Sequence, residues 1–452
     1  MMQRVRPYAL LFLALTVIYH SNLRPIAAGD SLPSALIPFS VVLDHSITLD
    51  RFGPWLKEQP NPGLVRRAHG HWFSGYPIAG PVMIAPFYLP AAAIPAVWRL
   101  PLESLVTLAR ILEKFAAVAL TAASTLGMLA LLGRIAPFGW ALTLTLLFAL
   151  GTTTWSTSSQ ALWQQTFDTA AIVLCCYSLE RWDSEKGASR WACCCGAAVG
   201  AALLFRLTSM VLIPAVCAAF WLRKARGSDY LRILLPTAAA AIAVFAYNGL
   251  VLGMWGGAYS FPQEVSMVRS LAGILFSPGR GLLIYTPAAI FALAAFLPRA
   301  RESRARHLSL VTACTVFAAL HIAGIARWPK WWGGYSWGPR LLTEIVPGLI
   351  VLIGIGVPAI RGNMRYAFGA VVVYCLFIQA LGVYYYPKGH WDHLPVSVDQ
   401  NTGRLWDWRD NPITRTLHAG PAWEPYVIVE TAWKEGLPAA ADRLRAYGIS
   451  PY

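Results

Sequence analysis

The chain of 452 residues is 56% hydrophobic and only 13% charged, with a formal net charge of +15. A soluble chain carries roughly a quarter charged residues to coat its cores, so this composition excludes a soluble multidomain enzyme. The basic residues gather in short loops between apolar runs, which is the positive-inside pattern of a polytopic membrane protein and argues against a nucleic-acid partner.

Runs free of charged residues cover 7–23, 72–98, 115–133, 135–167, 233–263, 281–298, 308–326 and 366–387. About 20 residues at 1.5 Å rise cross a hydrocarbon core roughly 30 Å thick, so each is long enough for a span or nearly so. Shorter apolar pieces at 169–179, 191–205, 207–222 and 345–360 complete an all-α, polytopic integral membrane fold of about eleven or twelve helices by the same length criterion. No small-residue cleavage site follows 7–23, which therefore reads as an uncleaved first helix. The eight cysteines lie in or beside apolar runs and read as small buried hydrophobes.

Four basic clusters, Arg181/Lys186/Arg190, Arg223/Lys224/Arg226/Arg232, Arg299/Arg301/Arg304/Arg306 and Arg361/Arg365, mark cytoplasmic loops. The segments between them, roughly 24–76, 253–281, 327–340 and the tail 387–452, fall outside. Residues 1–386 then form a transmembrane domain, and the polar tail, with Trp391, Trp406, Trp408, Trp423 and Trp433, forms a small extracytoplasmic cap. The parity is inconsistent as it stands, because the runs before residue 253 are even in number and an odd number is needed. Either the proline-rich run 72–98 does not fully cross, or 135–167 divides differently.

Asp30, in a Gly-Asp-Ser triplet just past the first span, precedes 35–43, which suits a short amphipathic helix lying on the membrane surface. A carboxylate at headgroup depth can take a proton from a hydroxyl nucleophile where water is partly excluded. The same triplet also reads as a helix N-cap. Asp44 and Asp50 follow, Asp50 beside Arg51 as if paired with it, and Asp168 shares one end of an apolar helix with Gln164 and Gln165. His69 and His71 stand just outside the run 72–98. They lack a third ligand at a helical spacing, so they read as polar loop groups or as hydrogen bonders to an anionic or sugar ligand, with no metal expected.

Basic residues on the outer side need a partner or a ligand. Arg206 interrupts an apolar stretch, Arg280 sits in "FSPGRGLLIYTP", and Lys330 and Arg340 sit in "RWPKWWGGYSWGPRLL". The last two arginines share a plan, a Gly/Pro turn that delivers a guanidinium to the mouth of the next helix, which suits a phosphate. Snorkelling to headgroups, or pairing of Arg340 with Glu344, is the alternative.

In order and spacing, "GD" past the first helix, "SGYPIAGP…PFYLP", "FSPGRGLLIYTP" and "WWGGYSWGPRLL" resemble the bacterial GT-C glycosyltransferases, the superfamily of the protein O-mannosyltransferases and the lipid A aminoarabinose transferases. The resemblance covers about residues 8–386. It implies a GT-C-like fold in the bacterial inner membrane, and transfer of a sugar from a polyprenyl-phosphate donor to a hydroxyl acceptor on a glycan, lipid or protein, outside the membrane and without a cofactor. The superfamily's base, an acid in the first external loop, falls on Asp30, with Asp44, Asp50 and Asp168 in reserve. Arg340, Arg280, Arg206 and Lys330 are the candidates for the donor phosphate, and His69, His71, Tyr76, Tyr335 and Trp337 for the rest of the substrate. Asp30 is followed by Ser31 and not by a second acid, a departure from the O-mannosyltransferase pattern. A flippase for lipid-linked sugars would explain the helices without catalysis, and a polysaccharide polymerase or ligase would use similar donors. The acid-bearing first loop and the lack of evident internal repeats favour an enzyme.

The charge pattern places the N-terminus inside and the tail outside. A reporter fused at Tyr452 is expected to give an extracytoplasmic signal, and a cytoplasmic one would overturn this topology.

Overall fold

The computed structural model describes residues 2–59, 65–257, 266–386, 388–436, 439, 440 and 443. A piece of the first external loop, the outer end of the run 233–263 with the segment after it, and the end of the tail lie outside the described residues.

In hydrocarbon a backbone has no water to bond, so apolar runs close their hydrogen bonds internally as helices. Among the described residues, five helices are long and apolar enough to cross a membrane by themselves: Leu102–Ile135, Gly227–Val251, Leu308–Ala326, Arg340–Ala359 and Asn363–Tyr384. Shorter ones run beside them, among them Phe138–Leu150, Ser189–Phe205 and Leu207–Leu222. The first helix, Met2–His20, leaves Leu10, Leu13 and Val17 exposed at helical spacing, a face suited to lipid tails.

Polar bonding separates the two ends of the bundle. At one end Arg223 binds Asp183 at 2.8 Å and the Arg306 carbonyl at 2.8 Å, Ser309 donates to Asp183 at 2.8 Å, and Arg134 pairs with Glu180. Three of the expected basic loops therefore meet there. At the other end the start and finish of the chain meet: Ser21 bonds Tyr384 at 2.6 Å, Arg24 donates to the Tyr386 carbonyl at 2.6 Å, and Tyr426 in the tail donates to the Ser21 carbonyl at 2.7 Å.

The proline-rich run accounts for the parity. Pro81, Pro86, Pro90 and Pro95 each lack an N–H, and the chain breaks there into the short pieces Ala79–Ile84, Ala85–Tyr88, Leu89–Ala92 and Pro95–Arg99. The pieces stay at the tail end, where the Tyr88 hydroxyl donates to the Ala109 carbonyl at 3.2 Å. Apart from this broken run, seven helical stretches precede residue 253 outside the first loop among the described residues, the odd number that the topology needs: 2–20, 102–135, 138–150, 164–184, 189–205, 207–222 and 227–251. The expected helix of the first loop spans Leu32–Asp44, and protein covers its apolar face through the 79–88 pieces and Leu102–Ile135.

Two strands, Val65–Ala68 and His71–Ser74, pair antiparallel in register Ala68↔His71. The connecting His69 and Gly70 both have positive φ, 51° and 86°, as a two-residue hairpin turn requires. Asp50 fastens this hairpin by accepting from the Trp72 N–H at 2.8 Å and the His71 ring at 2.6 Å. Arg51, the sequence neighbour expected to pair with Asp50, instead reaches back to Asp44 at the end of its helix. Adjacent side chains diverge at a helix start, whereas the turn of 45–49 folds Arg51 over Asp44.

Burial works against the Asp50 carboxylate, but the bonds from Trp72, His71 and Thr48 outweigh it and hold the group below its ordinary range. A depressed carboxylate stabilises the fold above its unfolded pKa of about 4, and that contribution is lost as pH falls through the lower folded value. Hydrogen-exchange protection of the Trp72 amide is expected to hold from neutral pH to about pH 4 and to fall below it. In Asp50→Asn that acid transition should be missing, and an unchanged transition would refute the assignment.

Candidate active site

A cavity of about 820 Å³ opens at the tail end of the bundle. Its wall combines Ala28, Gly29 and Asp30 after the first helix, Tyr76, the 163–165 turn, Arg206 to Val211, one face of Leu308–Ala326, the 328–341 loop, and Asp399 from the tail. Seven stretches of sequence thus converge on one space. On the membrane-helix side the lining is apolar, with Met210, Val211, Leu320, Gly324 and Ile325. Polar groups gather toward the loops.

Asp30 and Arg340 meet at this wall, Nη2 to Oδ2 at 2.8 Å, with the Asp30 side chain 35% exposed and that of Arg340 9%. Asp30 lies inside the short turn Gly29–Ser31 and is the capping residue of neither helix start, which fall on Ala28 and Ser31; its carboxylate is directed to the guanidinium. Arg340 also donates to the Gly333 carbonyl at 2.6 Å and lies over the Trp163 ring, 4.4 Å from its centroid. Its Nε is buried without a hydrogen-bond partner among the described residues. The loop that presents it turns through Gly333, Gly334 and Gly338 at φ 77°, 70° and 63°, a conformation that side chains disfavour. A Cβ on Gly338 would also meet the Tyr285 ring at 2.9 Å.

Glu344 does not pair with Arg340. It is fully buried and pairs with Arg206 at 2.5 Å, with His321 3.6 Å away on the other oxygen. Arg206 Nε also donates to Thr208 at 2.8 Å. Lys330 pairs with Asp399 of the tail at 2.7 Å and remains 59% exposed at the mouth, where Trp332 donates to the same carboxylate. Asp168 lies behind the wall, completely buried, accepting from the Ser209 hydroxyl at 2.5 Å. Its Oδ1 has no hydrogen-bond partner among the described residues. Tyr335 lines the cavity, bonding Ser397 at 2.8 Å and stacking on His393 at 4.4 Å.

Other expected residues stand elsewhere. His69 and His71 belong to the hairpin, with Asp44 and Asp50 at its base, and none of the four lines the cavity. Trp337 is buried between Tyr285 and Tyr386 as core packing. Arg280 is also buried: its guanidinium pairs with Asp392, donates to the carbonyls of Gly279 at 2.8 Å and Gly334 at 3.1 Å, and lies over Trp391. The turn before it, expected to offer backbone N–H groups to a phosphate, is occupied by protein. The Gly279 N–H donates to the Leu405 carbonyl at 3.2 Å and the Arg280 N–H to Ser277 Oγ at 3.2 Å.

Sequence reasoning passed over Arg110, Glu113 and Lys114, all buried in Leu102–Ile135. Three charges at i, i+3, i+4 leading into an apolar helix were the available signal, since such residues in membrane segments are rare and face partners. Lys114 donates to Gln160 at 2.6 Å, and Asn22 reaches the same oxygen at 2.8 Å.

No protein-family model and no curated protein matches the chain. Among solved structures it is similar to ArnT from Cupriavidus metallidurans, an aminoarabinose transferase of GT-C type, in a crystal structure bound to undecaprenyl phosphate. That match has a TM-score of 0.53 at 12% identity and covers 99% of this chain and 76% of that chain. The apo structure of the same protein gives 0.52 at 13% identity with the same coverage. At this identity the likeness establishes the fold, a GT-C-like membrane fold, and it includes the tail that the sequence motifs did not reach.

The environment of Arg280 predicts a structural loss on removing its partner. Asp392→Asn leaves a buried guanidinium without its counter-charge, a change that costs roughly 3–5 kcal/mol. Thermal unfolding of the full chain should shift down, and an unchanged unfolding temperature would overturn this structural role of Arg280.

Proposed function

We propose that the protein is a membrane glycosyltransferase that moves a sugar from a polyprenyl-phosphate donor to a hydroxyl of a glycan, lipid or protein acceptor, at the end of the bundle that faces the periplasm. The observation that carries this reading is the Asp30 carboxylate held 2.8 Å from Arg340 in the wall of a cavity that is apolar on its membrane side. A polyprenyl phosphate needs those three things together: a site for its tail, cations at headgroup depth, and a base nearby. ArnT, the similar structure, is described as bound to undecaprenyl phosphate, which supports the same class of lipid here.

In this scheme the donor phosphate enters between Arg340, Arg206 and Lys330. A guanidinium has five donors in a fixed fork, so Arg340 can hold a phosphate oxygen and still touch Asp30. The acceptor oxygen attacks the anomeric carbon in line, its proton passes to the Asp30 carboxylate, and the bond from the anomeric carbon to the phosphate oxygen breaks. Polyprenyl phosphate leaves with that electron pair, and the configuration inverts. The growing charge on the leaving phosphate is met by the cations already in place, so no step is assigned to a metal. Tyr76 and Tyr335 face the same space and are suited to the sugar.

The test is transfer from a panel of undecaprenyl-phosphate-linked sugars by the full chain in lipid nanodiscs. Asp30→Asn nearly keeps the shape but lacks a basic carboxylate, and it should lower turnover roughly 10²- to 10⁴-fold with the protein folded. Normal transfer by this variant would sink Asp30 as the base.

A further inference from the structure

Arg110 and Glu113 form an ion pair at 2.9 Å, 7% and 0% exposed, one turn apart on Leu102–Ile135. Neither lines the cavity, and a buried charged pair in a membrane helix is too costly to be incidental. Their outward bonds reach the two halves of the site. Arg110 donates to Ser31 Oγ at 3.1 Å and, more weakly, to the Ala28 carbonyl at 3.5 Å, on both sides of Asp30. Ser31 in turn donates to the Ala28 carbonyl at 3.2 Å, closing the turn that carries Asp30. The other Glu113 oxygen accepts the Leu162 N–H at 2.9 Å, and the next residue, Trp163, is the ring under Arg340.

The contacts therefore close a ring: Asp30, Ser31, Arg110, Glu113, Leu162, Trp163, Arg340 and back to Asp30. We propose that Arg110 and Glu113 are positioning residues that fix the Asp30 carboxylate and the Arg340 guanidinium in register for the transfer described above. The inference rests on the assignment of Asp30 as base. It adds that Glu113 acts on the reaction only through Asp30 and Arg340, because its carboxylate is spent on Arg110 and Leu162 and reaches no substrate.

The test uses the full chain in nanodiscs with whichever undecaprenyl-phosphate sugar of the panel the wild type transfers. Glu113→Gln removes the charge that orients Arg110 and is expected to lower kcat roughly 10- to 100-fold, the effect of a misplacement of about 1 Å. The donor KM should move less than about threefold, because KM reports binding and the phosphate cations remain. Ser31→Ala is a milder variant that removes only the hydroxyl on which Arg110 acts, and it should lower kcat about three- to tenfold without threatening the fold. Ser31→Ala, which acts on the Asp30 turn alone, should not slow the Asp30→Asn enzyme further, since residues that work through one group are not additive with its loss. Full turnover in Glu113→Gln, or a Ser31→Ala loss that multiplies with Asp30→Asn, would overturn the inference, and a Glu113→Gln protein that does not fold leaves the Ser31→Ala cycle to judge it. Failure of the base assignment is a different result, normal turnover by Asp30→Asn alone.

Discussion

A guanidinium at the rim of a membrane domain must be held by anions or carbonyls, because hydrocarbon offers it nothing. Arg340 is held by Asp30, by the Gly333 carbonyl and by the face of Trp163. These partners come from the first loop, the loop between two late helices, and the turn before Gln164–Ser184. One side chain thus ties together regions hundreds of residues apart, and the cavity exists because they are drawn to it.

The same constraint runs through the rest of the bundle. Arg206 with Glu344, Arg280 with Asp392 and Arg110 with Glu113 are all buried pairs. Such pairs add little net stability over an apolar replacement, but breaking one leaves an uncompensated charge, so they enforce one arrangement more than they deepen it. Their placement is uneven. Arg206–Glu344 and Arg340–Asp30 border the cavity, whereas Arg280–Asp392 binds the tail to the helices and Arg110–Glu113 stands behind the Asp30 turn.

The tail takes part in both structure and site. Trp391 is buried beneath the guanidinium groups of Arg280 and Arg404, 5.3 and 4.7 Å from its centroid. Asp392 neutralises Arg280, and Asp399 reaches the cavity mouth to pair with Lys330. Polar composition marked this segment as extracytoplasmic, but nothing in its sequence marked Asp392 and Asp399 as the partners of two distant cations.

Membrane class, helical architecture and the polar end of the bundle were legible in the sequence because hydrocarbon imposes length and apolarity on each segment separately. The glycine-rich turn before Arg340 and the acid after the first helix were legible for a similar reason: each is a local pattern. Arg280 and Arg340 sit in nearly the same local pattern and have opposite surroundings, one sealed by Leu405 and Asp392, the other open to the cavity. Glu344 lies four residues from Arg340 and serves Arg206, and Asp50 lies beside Arg51 and serves the hairpin. Which charge meets which is a property of the packed helices, since each side chain in a low-dielectric interior goes to the partner that tertiary geometry brings within reach, and spacing along the chain does not encode that distance.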